Sequence, residues 1–233
     1  MASGTSLRKR LLRHLRCHGI TERLRYYLRR RNGTKVRLQS VDLEFMVNPE
    51  DIILDCGANV GDVTSKFARC GATLYAFEPN RQCFDILKKR FAFMPNVFLL
   101  NKGVLDKDCV LSLSTPDPHA NFDSIETTVA STFNEEMLQP SDYTVKRDEV
   151  ECIDIDKFIR QLGKRVLLMK IDIEGGEIEV LNRLMDTGGI NLVDHLVVET
   201  HERLSPRLEI ATQSLRARIA ELGLSSKICL DWD

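Results

Sequence analysis

A short apolar run, Ile52-Ile53-Leu54, leads without a break into Asp55-Cys56-Gly57-Ala58-Asn59-Val60-Gly61. No other feature of the chain constrains its fold as tightly. Consecutive apolar residues, two of them β-branched, mark a strand buried on both faces, the habit of a parallel sheet. The glycines at 57 and 61 permit a tight turn and a close approach of a ligand to the backbone. In open α/β sheets, ligands bind at this place, the carboxyl end of a parallel strand. A helix opening at Gly61 would turn its N–H groups toward electron-rich atoms.

The rest of the pattern agrees. Strands are predicted over 73–77, 97–100, 149–153, 166–171, 193–199 and 227–230. Helices are predicted over 61–70, 80–93, 154–162, 177–186 and 206–222. Strands separated by helices of this length imply right-handed βαβ units. Residues 109–114 alternate and read as an edge strand. Residues 115–146, rich in Ser, Thr, Pro, Asp and Asn, read as a functional loop or lid. The expected fold class is α/β, a Rossmann-like, doubly wound and mostly parallel sheet. A basic, partly helical extension over 1–45 is expected to precede the domain over 46–233.

Glu78 ends the second strand, 17 residues beyond Gly61, where a carboxylate can accept both hydroxyls of a ribose. A strand, a Gly-rich turn and such an acid suit either a dinucleotide or S-adenosylmethionine. The turn reads GxNxG rather than GxGxxG. Asp55, standing before the first glycine, would repel a pyrophosphate but suits the ammonium of a methionine. Both details favour S-adenosylmethionine. The rivals are a nucleotide-dependent oxidoreductase on the same fold and a non-catalytic domain that binds through its basic arm.

At the end of the strand over 166–171, Asp172 and Glu174 stand two apart, on one side if the segment is extended. Either could act as general base. Together they could hold a divalent cation, but two carboxylates without a third ligand make a thin site, and no metal is expected. Glu177 reads as compensation for the helix N-terminus. His201, two beyond Glu199, sits at a strand's carboxyl end, and its ordinary pKa near 6.5 suits base work. His119 and the pair Ser131-Thr132, in the irregular loop, are weaker candidates. His195 reads as a plain strand residue.

Taken together, Asp55 to Gly61, Phe77-Glu78-Pro79-Asn80, Met169-Lys170-Ile171-Asp172-Ile173-Glu174-Gly175-Gly176-Glu177, Val180-Leu181 and Val198-Glu199-Thr200-His201 resemble the FkbM-type methyltransferases over about residues 50–202. The resemblance implies the class I methyltransferase fold and methyl transfer from S-adenosylmethionine, typically to a hydroxyl of a sugar or polyketide-type small molecule. It implies that Asp55, Gly57, Asn59 and Gly61 form the cofactor loop and that Glu78 takes the ribose. It places Val104 to Asp106 near the adenine, and Asp172 and Glu174 at the transfer centre. Domains of this class often end with an antiparallel seventh strand, so a sheet that stops after 227–230 is expected to be one strand short or closed differently.

Charge and cysteine content bound the setting. Residues 1–40 hold twelve of the 33 Lys and Arg and one acid, Glu22; the remainder holds 33 acids. Such an arm is drawn to anionic surfaces. Leucines at 7, 11, 12, 15, 24 and 28 permit an amphipathic basic helix. The seven cysteines are widely spaced, without CxxC, which argues against a disulfide framework and for a reducing, cytoplasmic setting. An Arg-rich start also fits organelle import. No apolar run is long enough for a transmembrane segment.

Overall fold

The computed structural model describes residues 33–38, 43–116 and 145–232. The basic arm up to residue 32, His119, Ser131-Thr132 and most of the irregular loop lie outside the described residues.

Six parallel strands form the central sheet. In chain order they are β3 (Ile52–Cys56), β4 (Thr73–Phe77), β5 (Val97–Leu100), β9 (Val166–Ile171), β10 (Val193–Glu199) and β11 (Ile228–Trp232). Their spatial order is β11-β10-β9-β3-β4-β5, and every neighbouring pair is parallel. The chain builds outward from β3 to β5, then crosses back to β9. The order therefore reverses between β3 and β9, and the crevice beyond their carboxyl ends is the ligand-binding position of a doubly wound sheet.

Alternation along β3 fixes the two layers. Ile52 and Leu54 point into one core with α3 (Ile155–Gln161), α4 (Glu177–Thr187) and α5 (Pro206–Glu221). Ile53 points into the other, with α1 (Asp62–Ala68) and α2 (Arg81–Arg90). Lying buried on both faces, the central strands read as continuous apolar runs in the sequence.

The structure adds to the expectations at three places. The packed body begins before residue 46: β1 (Thr34–Leu38) and β2 (Leu43–Val47) form an antiparallel hairpin, and Val36, Leu38, Phe45 and Val47 are buried in the second core. The ring of Phe45 packs edge-on against His195 of β10, 5.5 Å between centroids. The expected edge strand, β7 (Cys109–Pro116), does stand at an edge, but of a separate three-stranded sheet with β6 (Gly103–Leu105) and β8 (Val145–Asp154), in the order β6-β8-β7. Lastly, among the described residues the main sheet has no antiparallel seventh strand, in line with the expectation: β11 forms one edge as a parallel strand. The six described cysteines are free thiols. Among the described residues no helix is long and apolar enough to cross a membrane.

Candidate active site

Two strand ends meet at the switch point. Asp172 N–H donates to the Cys56 carbonyl, and the Gly57 backbone lies so close that a Cβ there would stand 1.6 Å from the Asp172 carbonyl oxygen. With φ at +79° as well, position 57 admits only glycine. Gly61 has a different reason. It is left-handed, and a Cβ would meet the Phe91 ring at 2.5 Å and Leu87 at 2.7 Å. Its small size seats α1 against α2. The helix starts at Asp62, whose carboxylate Arg90 binds at 2.7 Å.

Glu78 is fixed toward the turn. Its Oε2 accepts the Asn59 N–H and its Oε1 the Asn80 N–H, each at 2.7 Å. Burial raises its pKa to about 7 despite these two donors. Each oxygen keeps a further lone pair for a hydroxyl. Asn59 sits in the left-handed region at φ 49°, which asparagine tolerates.

Asp55 is buried behind the turn. Its side chain is 1% exposed; Thr64 Oγ1 donates to Oδ2 at 2.6 Å, and Lys170 Nζ lies 3.7 Å from Oδ1. Burial pushes its carboxyl up, partly offset by Lys170. Through these contacts Asp55 braces the turn from within. The pleat explains this: Asp55 and Lys170 are register partners on adjacent strands and point to one face with Ile53 and Leu168.

The acidic segment is not extended as expected. Beyond Ile171 the chain turns, with Glu174 left-handed at φ 58° and Gly175 at φ 113°. A glutamate held there stores strain of the kind concentrated at functional sites. The turn brings Asp172 and Glu174 to His201, whose Nε2 lies 3.1 Å from Glu174 Oε2 and 3.9 Å from Asp172 Oδ1. Glu177 curls back to accept N–H groups of Ile173 and Gly175 at 3.1–3.2 Å. It also stands 3.2 Å from His201 Nδ1, a contact without hydrogen-bond alignment. The helix-compensating role expected of Glu177 is therefore too small: it shapes the turn and flanks the histidine.

These contacts change the reading of His201. Burial works against its charge, but Glu174 and Glu177 outweigh burial and raise its pKa to about 11. That shift favours the imidazolium, which has no lone pair to accept a proton. Glu199, absent from the expected site residues, stands in the same cluster. It ends β10 beside Asp172, and burial and the Asp172 charge raise its pKa to about 7. Its motif was visible in the sequence, but its environment was not. Ligand atoms of Asp172, Glu199 and His201 lie within 4.8 Å of one another. A third side chain thus joins two carboxylates, but an imidazolium has no lone pair for a cation, and Lys170 Nζ already lies 3.0 Å from Asp172 Oδ2. Asp106 follows β6, whose Leu105 packs against the Gly175-Gly176 turn.

Sheet order, Gly-rich turn, ribose-type acid and convergent carboxylates define a Rossmann-like methyltransferase domain. The model of the methyltransferase FkbM domain matches residues 55–224, and the chain belongs to that family. It is an S-adenosylmethionine-dependent methyltransferase. It is similar to methyltransferase sdnD of Sordaria araneosa, 26% identical over 68% of this chain and 69% of the relative. A shorter stretch resembles ribosomal RNA small subunit methyltransferase A of Thermotoga petrophila, 34% identical over 24% of this chain and 22% of that protein. The solved glycopeptide N-methyltransferase MtfA with sinefungin is 17% identical over 49% of this chain and 69% of its own, at a TM-score of 0.20, too low to support an inference.

Proposed function

We infer that the enzyme methylates a hydroxyl of a small molecule, with a carbohydrate the best candidate, and that Glu199 removes the hydroxyl proton. The observation carrying this reading is the Asp172–Glu199–His201 cluster, placed beside the Gly57 turn and containing a carboxylate that titrates near neutrality. Transfer from a sulfonium needs alignment above all. A hydroxyl acceptor also needs a base matched to the working pH. Asp172, adjoining the turn, orients the acceptor. The imidazolium of His201 and the bent Glu174 hold the rim in place. Gly57, Asn59 and Glu78 take the cofactor, Asp55 and Gly61 support their loop from behind, and Asp106 borders the adenine. The protein works in the cytoplasm, and its basic arm contacts an anionic surface.

The test is incubation of the full chain with methyl-labelled S-adenosylmethionine and a fractionated extract. Label in an ether of a sugar or other small hydroxyl compound is the expected result. Label confined to nitrogen, or to RNA, would overturn the acceptor assignment while leaving the enzyme class intact.

A further inference from the structure

Lys170 is, among the described residues, the only buried lysine, 4% exposed. Its ammonium stands among oxygens from two strand ends: the Gly57 carbonyl at 2.5 Å, Asp172 Oδ2 at 3.0 Å and Asp55 Oδ1 at 3.7 Å. An ammonium has three donors and no acceptor, so it suits a cradle made only of oxygens. Burial opposes the charge, but Asp172 and Asp55 outweigh it and hold the group firmly protonated. A nucleophilic role is therefore closed to it.

The partners are unequal. Asp172 belongs to the transfer centre. Gly57 belongs to the cofactor turn, where its carbonyl points toward β9. Asp55 Oδ1 accepts no hydrogen bond, while its other oxygen is held by Thr64. A simple counter-charge for the buried Asp55 and the half-buried Asp172 would not need the short bond to a neutral carbonyl. That bond joins the turn to the strand carrying Asp172.

We propose that Lys170 is a positioning residue for methyl transfer: it pins the cofactor turn at Gly57 and sets Asp172 against it, so that cofactor and acceptor meet in fixed register. The inference rests on the reading of the crevice given above and adds a part that reading does not contain. It makes cofactor affinity depend on a side chain that need not touch the cofactor. The geometry also separates two effects of removing the lysine: loss of the pin, and stranding of buried negative charge.

The experiment uses the full chain and S-adenosylhomocysteine, with affinity from calorimetry and stability from thermal melting. Wild type is measured first; failure of wild type to bind would strike down the cofactor reading itself and the lysine role with it. K170M is expected to bind about tenfold more weakly or worse, the loss of one charge-assisted hydrogen bond, and to melt lower. D172N alone is expected to keep its affinity, since this ligand lacks the transferred methyl. The decisive variant is K170M/D172N. Removing the lysine together with its nearest acid leaves only Asp55, whose burial already favours the protonated form, so the melting point should recover part of the way toward wild type while affinity stays weak. K170R, which restores charge and donors, should regain part of the affinity. Recovery of affinity together with melting point in K170M/D172N would overturn the proposal and leave Lys170 a counter-charge. Loss of the melting transition in both methionine variants would also overturn it, assigning the lysine to the core alone.

Discussion

Glu199→Gln is expected to lower kcat about 10²–10⁴-fold, the contribution of a positioned general base. Its affinity for S-adenosylhomocysteine should stay within about threefold of wild type, because an interaction made only in the transition state is lost. The sign with pH follows from the raised pKa of Glu199. The carboxyl is protonated below about 7 and ionised above it. Base function is therefore present above pH 7 and lost as pH falls through it. Wild-type kcat should show an acid limb near 7, and the residual rate of the glutamine variant should lack it. The high pKa of His201, about 11, keeps the imidazolium charged across this window, so that limb does not belong to the histidine. Asp172→Asn should also abolish most turnover with cofactor binding largely kept. A Glu199→Gln enzyme with full kcat and an unmoved pH limb would remove Glu199 from the mechanism.

Glu78→Ala is expected to weaken cofactor binding about a hundredfold or more, since two hydrogen bonds from ribose hydroxyls to a charged group are lost at about 1.5–3 kcal/mol each. The loop bonds that Glu78 accepts from Asn59 and Asn80 would also go. Here too the sign is set by a raised pKa, about 7. The ionised carboxylate is the form that accepts both hydroxyls. Affinity should hold steady above pH 7 and fall by about tenfold per pH unit below it, as linkage to a single proton requires. Glu78→Gln, which does not titrate, should bind more weakly at pH 8 and lose this dependence. Calorimetric titration of S-adenosylhomocysteine across pH 5.5–8.5 checks both statements. A pH-independent wild type, or a glutamine variant with the wild-type profile, would separate Glu78 from the ribose.

What could be read from the sequence was what local chemistry fixes. The turn after β3, the acid ending β4 and the acids following β9 each announce themselves within a few residues, because glycine spacing and strand ends are properties of short segments. Strands β3, β9 and β10 were legible for the same reason, as apolar runs bounded by turn residues. The hairpin over residues 34–47 was not. Its alternating Val36, Leu38, Phe45 and Val47 stand in or beside a region dominated by arginine, and charge masked the period.

The direction of Asp55 depended on Lys170, 115 positions along the chain, and on Thr64 one helix away. Only the strand register brings these three together. The environment of His201 was hidden for the same kind of reason. Its charge is set by Glu174 and Glu177, which reach it through a left-handed turn that an extended reading of 172–174 cannot produce. Glu199 likewise draws its pKa from burial and from Asp172, neither visible in one dimension.

The central claim is that the crevice between β3 and β9 holds S-adenosylmethionine with its ribose on Glu78 and its methyl directed toward Asp172 and Glu199. A crystal structure with sinefungin tests it most directly. The ribose hydroxyls should lie within hydrogen-bond distance of Glu78, the turn from Gly57 to Asn59 should lie against the ligand, and the transferable end should face the two acids. A ligand bound with its ribose elsewhere, or with that end turned away from Asp172 and Glu199, would contradict it.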